Sequence, residues 1–233
     1  MLTDVIRAGR ADLYSIFRTR AHDCARALAI EDGSRKLTYA ELLERVDRLA
    51  AVFLAKGVAP GDRIAILSHN RSEYLEVELA AAGIGAIVAC LNWRLVPDEL
   101  WHCIDLVEPV LAVVEPELSE AYRAVASTPC LTVGPDLETA IAGAGPDPRI
   151  GSMVGLTILY TSGTTGLPKG ALISHRAHIA RSMAFAAQLA LDPGDGFIAW
   201  APMFHMASTD HALATILRGG IVVMVDGLQP AVI

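Results

Sequence analysis

"RIAILSHNRSEYLEVELAAAGIGAIVACL", Arg63 to Leu91, holds two short apolar runs around a longer stretch with polar and apolar residues mixed. The first run follows the turn Pro60-Gly61-Asp62 and reads as a strand over Arg63 to Asn70. Asn70 and Glu73 then offer cap chemistry for a helix running through Ala82, and Ala86 to Leu91 returns as a second strand. Both runs are apolar at successive positions rather than alternate ones, as a strand must be when helices cover both of its faces. A strand–helix–strand unit of that kind predicts a parallel sheet.

The pattern extends in both directions. Upstream, "LTYAELLERVDRLAAVFLAKG" places Thr38 three residues before Glu41, a capping box, with Leu37 and Leu42 as a hydrophobic staple. Leu42, Val46, Leu49 and Phe53 recur at helical spacing, and Lys56-Gly57 closes the helix. Downstream come a helix over Pro97 to Leu106, a strand over Val110 to Val114, a helix over Glu117 to Val125 and a strand over Cys130 to Val133. "AGAGPDPRIGS", Ala142 to Ser152, is rich enough in Gly and Pro to mark a border, which divides the chain into α/β portions 1–145 and 146–233. The second portion reads as strands Val154 to Tyr160 and Gly170 to Ser174, helix His175 to Leu189, strand Phe197 to Trp200, helix Ser208 to Leu217 and strand Ile221 to Val225. The expected fold class is α/β, with mostly parallel, helix-covered sheets. No helix follows the last strand, so an uncovered sheet face and self-association through it are expected.

Hydrophobic residues make up 53% of the chain and charged residues 19%, which excludes the disordered and low-complexity classes. A formal charge of −7 provides no basic field for nucleic acid or anionic lipid. Cys24, Cys90, Cys103 and Cys130 show no paired or metal-like spacing and read as reduced thiols of a cytoplasmic protein. Charges interrupt every apolar run of the N-terminus, so no signal peptide is read there, and no later stretch is apolar for long enough to span a bilayer.

Between two of the predicted strands, "TSGTTGLPKG" places Thr161, Ser162, Thr164, Thr165, three glycines and Lys169 within ten residues. Phosphate groups are held by many short donors converging on one point, and small residues let backbone N–H groups approach while hydroxyls and a lysine add matched contacts. The spacing of Gly163, Gly166 and Lys169 does not fit the nucleotide-binding pattern G-x-x-x-x-G-K-[ST]. "GALIS" reads as extended, so this cradle relies on loop amides and hydroxyls rather than on a helix dipole. A ligand-free hairpin loop is the competing reading.

"YTSGTTGLPKG" resembles the phosphate-binding signature of the adenylate-forming (AMP-binding) superfamily, which includes acyl- and aryl-CoA synthetases, luciferases and the adenylation domains of peptide synthetases. "LTYAEL" (Leu37 to Leu42), "GIGAIVACLNWRL" (Gly83 to Leu95) and "APMFHM" (Ala201 to Met206) are similar to further segments of that superfamily, in its order. "LNWRL" leans toward the fatty-acyl members. The resemblance implies an ATP-dependent acid–thiol ligase: a carboxylate attacks ATP to give an acyl-adenylate and pyrophosphate, and the thiol of CoA then displaces AMP. It implies that Thr161, Ser162, Gly163, Thr164, Thr165, Gly166 and Lys169 hold the β and γ phosphates and that Lys169 acts in catalysis. It also implies Mg²⁺ as a cofactor, with Thr164 as a candidate ligand.

The same resemblance puts His205 beside the acyl pocket and the reacting carboxylate, whereas the residues alone suggest a histidine packed between Phe204 and Met206. His175 and His178 read as a surface pair rather than a metal site. Asp210 and His211, adjacent on a helix, are expected to point apart, and Trp93 and Trp200 either pack in a core or line a pocket. Members of the superfamily are more than twice as long, so an N-terminal fragment is expected, inactive as a ligase by itself. A chain that only binds phosphate or a partner, and an adenylation domain that loads a carrier protein, are the alternatives.

Overall fold

The computed structural model describes residues 12–146, 155–161 and 166–228. The central α/β unit forms as the sequence predicts. β3 (Arg63–Leu67), α3 (Ser72–Ile84) and β4 (Ile87–Cys90) are followed by α4 (Pro97–Val107), β5 (Leu111–Val114), a short 3₁₀ turn at Pro116–Leu118, α5 (Ser119–Arg123), β6 (Cys130–Thr132) and α6 (Pro135–Gly143). β3 to β6 pair only in parallel, and β7 (Gly155–Thr161) joins the same sheet beside β4, again parallel. β8 (Lys169–Ser174) turns back antiparallel on β7, which gives the order β6-β5-β3-β4-β7-β8.

A second, four-stranded sheet has the order β2-β1-β10-β9. β1 (Leu28–Asp32) and β2 (Arg35–Thr38) form a hairpin, and β1, β10 (Val222–Met224) and β9 (Phe197–Ala199) run parallel. α7 (His175–Leu189) and α8 (Met206–Arg218) complete this half. Strands from both sides of residue 146 enter each sheet, so the Gly- and Pro-rich border does not separate one sheet from the other. β10, the last strand, for which an uncovered face is expected, lies between β1 and β9 with Val222 and Met224 buried.

Every residue of α3 is buried, Glu73, Glu76 and Glu78 included, because the helix is packed between the two sheets. Its lack of a polar stripe follows from that position. Charged partners compensate part of the cost: Glu76 meets Arg35 at 3.1 Å and Arg45 at 2.9 Å, and Arg45 reaches on to Glu138 of α6. On one face of the large sheet Ile64, Ile66, Val88 and Val113 join the core shared with α2 (Tyr39–Ala55) and α3. On the other, Ala65, Leu67, Ala112 and Val114 pack against Leu100, Cys103, Ile104 and Tyr122 of α4 and α5. The alternating burial is the period-2 geometry of strands covered on both sides.

The capping box at Thr38 and Glu41 is formed as expected. Asn70 does not cap α3: the N-cap is Arg71, without a side-chain cap bond, because the Asn70 amide is engaged elsewhere. The helix expected over Glu117 to Val125 shortens to a 3₁₀ turn and α5. Helix α1 (Leu13–Asp23), the β1–β2 hairpin and α6 were not expected from the sequence. The four cysteines are free thiols, and none of the described helices is long and apolar enough to cross a membrane.

Candidate active site

In parallel α/β sheets the loops that leave the C-terminal strand ends form the crevice where ligands bind. Here β3 delivers Ser68, His69 and Asn70, β4 delivers Asn92, Trp93 and Arg94, and β7 delivers Thr161. β9 of the second sheet delivers Trp200 to His205. Asn70 joins the two sets. Its Nδ2 donates to the carbonyls of Ala199, Ala201 and Val225 at 2.9, 2.7 and 3.1 Å, and its Oδ1 accepts the Met203 N–H at 2.8 Å. One buried amide thereby draws the C-terminal ends of β9 and β10 onto that of β3.

The phosphate-loop candidates sit at the end of the β7–β8 pair. Thr161 and Lys169 are register partners in the last rung of the ladder, and both are exposed. Gly166 has φ 131, a backbone region that a side chain disfavours. His102 Nε2 lies 3.0 Å from the Pro168 carbonyl, and the Tyr160 hydroxyl donates to the Cys103 carbonyl at 2.8 Å, so α4 anchors both strands at the loop base. β8 is extended after Lys169, as expected. Ser162, Gly163, Thr164 and Thr165, with the proposed Mg²⁺ contact of Thr164, lie outside the described residues. Exposed Lys169 opposite a hydroxyl residue fits a phosphate group. Among the described residues no cluster of three or more His, Cys, Asp or Glu side chains could hold a metal ion.

His205 is the N-cap residue of α8 and is exposed. Its ring lies on Phe204, centroids 4.4 Å apart, and Phe204 meets Trp93 edge-on at 6.3 Å. Trp93 in turn contacts His69 at 4.3 Å, and the Arg94 guanidinium lies 4.7 Å from the Trp93 ring centre. Partial burial, and then the positive charge of Arg94, hold the His205 pKa below the ordinary imidazole range. Phe204 takes the core position and leaves His205 facing solvent, so the packed-histidine reading fails. Trp93 is partly buried and packs against both cores, whereas Trp200 is 44% exposed.

His175 and His178 are not a surface pair. Both are 3% exposed. His175 Nδ1 accepts the Leu13 N–H at 3.3 Å, and burial lowers its pKa. His178 lies between Asp210, 2.6 Å from Nδ1, and Thr157, 2.9 Å from Nε2. Asp210 and His211 diverge as expected, and His211 stacks on Phe185 at 4.2 Å.

The sequence singles out none of three residues of this region for a functional role. Besides Asn70 these are His69 and Glu115, joined at 2.9 Å, with Arg71 on the other carboxylate oxygen at 3.0 Å. The His69 and Arg71 contacts hold Glu115 below the usual carboxylate range against the effect of burial. Their signal is positional: Glu115 directly follows β5, and His69 and Asn70 lie just beyond β3, in loops at the C-terminal ends of parallel strands, where ligands bind in such sheets.

The family model for AMP-binding enzymes matches residues 17–232. A feruloyl-CoA synthase of Amycolatopsis sp is 34% identical over 215 residues, 92% of this chain and 44% of that protein. A long-chain-fatty-acid–CoA ligase of Thermus thermophilus is 34% identical over 185 residues, 73% of this chain and 34% of that protein. The crystal structure of ATP-bound MatB from Rhodopseudomonas palustris superposes with a TM-score of 0.86 at 30% identity, covering 95% of this chain and 46% of that one. The chain thus spans less than half the length of these relatives.

Proposed function

From the premise that this chain belongs to the AMP-binding enzyme family, we propose that it is the N-terminal part of an ATP-dependent acid–thiol ligase that activates a carboxylic acid as an acyl-adenylate and passes it to CoA. The observation that carries the reading is the placement of Thr161 and Lys169 at the open end of β7 and β8, in the same layer of strand ends as His205 and the Trp93–Phe204 pair.

In this reading Thr161, Gly166 and Lys169, with Ser162, Gly163, Thr164 and Thr165, hold the β and γ phosphates of ATP. The lysine opposes charge that builds on departing pyrophosphate, which lowers the barrier where the charge develops. Thr164 is the proposed contact for Mg²⁺, which would supply further charge neutralisation when bound. His205, neutral at pH 7 because its pKa is lowered, donates a hydrogen bond to the substrate carboxylate or lines the entry of the thiol. The "LNWRL" segment motivates a fatty acyl group, while the relatives are named for aromatic as well as fatty acids. The protein is proposed to act in the cytoplasm.

A second reading is that the chain binds phosphate without completing the reaction. Acid-dependent ATP–pyrophosphate exchange, followed by thioester formation with CoA or a phosphopantetheinyl carrier and a panel of fatty and aromatic acids, tests both. Exchange together with a CoA thioester supports the ligase. ATP binding without exchange selects the second reading, and exchange with transfer only to the carrier selects the carrier-loading alternative.

A further inference from the structure

Thr157, His178 and Asp210 form a hydrogen-bonded chain inside the molecule, and their relative exposures are 0%, 3% and 3%. A carboxylate only accepts, so the nitrogen facing Asp210 carries the ring proton, and in the neutral ring the other nitrogen accepts the Thr157 hydroxyl proton. The second carboxylate oxygen of Asp210 receives the Arg181 guanidinium, so the aspartate has a fixed partner on each side. Burial of all three members keeps them away from substrate. They have no direct part in bond making.

Each member nevertheless sits on an element that carries a proposed active-site group. Thr157 lies in β7, four residues before Thr161, where the phosphate loop begins. His178 lies in the first turn of α7, which follows directly on β8 and so on Lys169. Asp210 lies in α8, whose N-cap is His205. The sheet ladder fixes β7 to β8, but no ladder fixes either strand to α8.

We propose that His178 is a positioning residue: by bonding Thr157 and Asp210 at once, it holds β7, the strand that runs on to Thr161, in register with the helix whose N-cap is His205. The inference rests on the functional reading above, because the register matters only if ATP and the acid meet between those two segments. Reaction rates are sensitive to such placement: an error of about 1 Å in the relative position of reacting groups costs on the order of 100-fold. A buried, charge-assisted bond is stiff enough to set it.

The test compares Thr157→Val, which removes the hydroxyl at nearly constant volume, with Thr157→Ser, which keeps it. The assay is acid-dependent ATP–pyrophosphate exchange on the full-length ligase that contains this chain, with the folded fraction fixed by circular dichroism. Thr157→Val is expected to lower kcat about tenfold per folded molecule, with a smaller change in the KM for ATP, and Thr157→Ser to restore kcat to within about threefold of the parent. His178→Ala should match or exceed the valine effect; if it fails to fold, the threonine pair still decides. An unchanged kcat in folded Thr157→Val, or serine behaving like valine, overturns the positioning role and leaves the functional reading standing. Absence of exchange in the parent protein overturns the functional reading and this inference with it.

Discussion

The Asn70 side chain and the Met203 backbone are joined at 2.8 Å across 133 residues, and this bond ties the end of β3 to the segment that carries His205. Replacing Asn70 with alanine leaves the carbonyls of Ala199, Ala201 and Val225 and the Met203 N–H without this partner. Several such losses in a buried place amount to about 3 kcal/mol, or a fall in Tm of roughly 6–12 °C for a chain of this size. Asn70→Asp should be nearly as damaging, since a carboxylate cannot donate to the carbonyls of Ala199, Ala201 and Val225. Thermal melts of both variants check this, and an aspartate variant as stable as the parent would remove the three-carbonyl clamp from the account.

Lys169→Ala tests the phosphate loop. Lys169 is exposed at the edge of the sheet, so its removal should leave Tm within a few °C of the parent. Loss of one charged donor from a preorganised site should weaken transition-state stabilisation by on the order of 2–4 kcal/mol. Acid-dependent ATP–pyrophosphate exchange reads it, and undiminished exchange takes Lys169 out of the reaction.

His205→Ala separates the crevice from the core. The side chain is exposed and its ring meets Phe204 at a tilt, centroids 4.4 Å apart, so the expected loss of stability is below about 1 kcal/mol. Acid selectivity or thioester formation should change several-fold while the KM for ATP stays within about twofold. The two half-reactions measured side by side, with melts, check the split.

Glu78 gives a pH signature. Its carboxyl is fully buried; Thr209 donates to it at 2.6 Å, and burial raises its pKa from 4.5 to about 8, with the charge of Asp210 adding to the rise. The folded state therefore keeps a proton that the unfolded chain releases near pH 4.5. Stability from this group is complete below that value and is lost as pH rises toward 8. Glu78→Gln mimics the protonated form, so it should flatten the decline of Tm between pH 5 and 8 and melt higher than the parent at pH 8. His175 works in the opposite sense: its lowered pKa makes the fold lose stability as pH falls below about 6.5. Melts of the Gln variant from pH 5 to 9 isolate the glutamate, and a slope equal to the parent's would refute the shift.

The local pattern of the sequence determined the α/β alternation, the capping box at Thr38 and Glu41, and the position of the candidate phosphate loop between two strands. Each depends on contacts between residues close in the chain: cap bonds span three residues, and the burial of a strand is written in its own run of apolar side chains. The strand order was not legible, nor was the placement of α3 between two sheets, because pairing β4 with β7 or β1 with β10 joins segments separated by long stretches of chain. Short amphipathic pieces such as α6 and the β1–β2 hairpin have too weak a period to stand out by themselves.

The candidate site divides in the same way. Thr161 and Lys169 are legible in the sequence as parts of a hydroxyl- and lysine-bearing loop, since the chemistry of phosphate binding restricts which residues serve, whereas His205 is singled out only by the resemblance of its segment to the superfamily. Asn70 looked like a helix cap because the sequence sets it just ahead of α3, and His178 looked like a surface residue because no partner lies near it in the chain. Only the tertiary structure supplied Met203, Thr157 and Asp210 as their partners. A buried polar side chain takes its role from whatever donor or acceptor the fold brings within about 3 Å, and residues distant in sequence meet at that range only once the sheets and helices have packed.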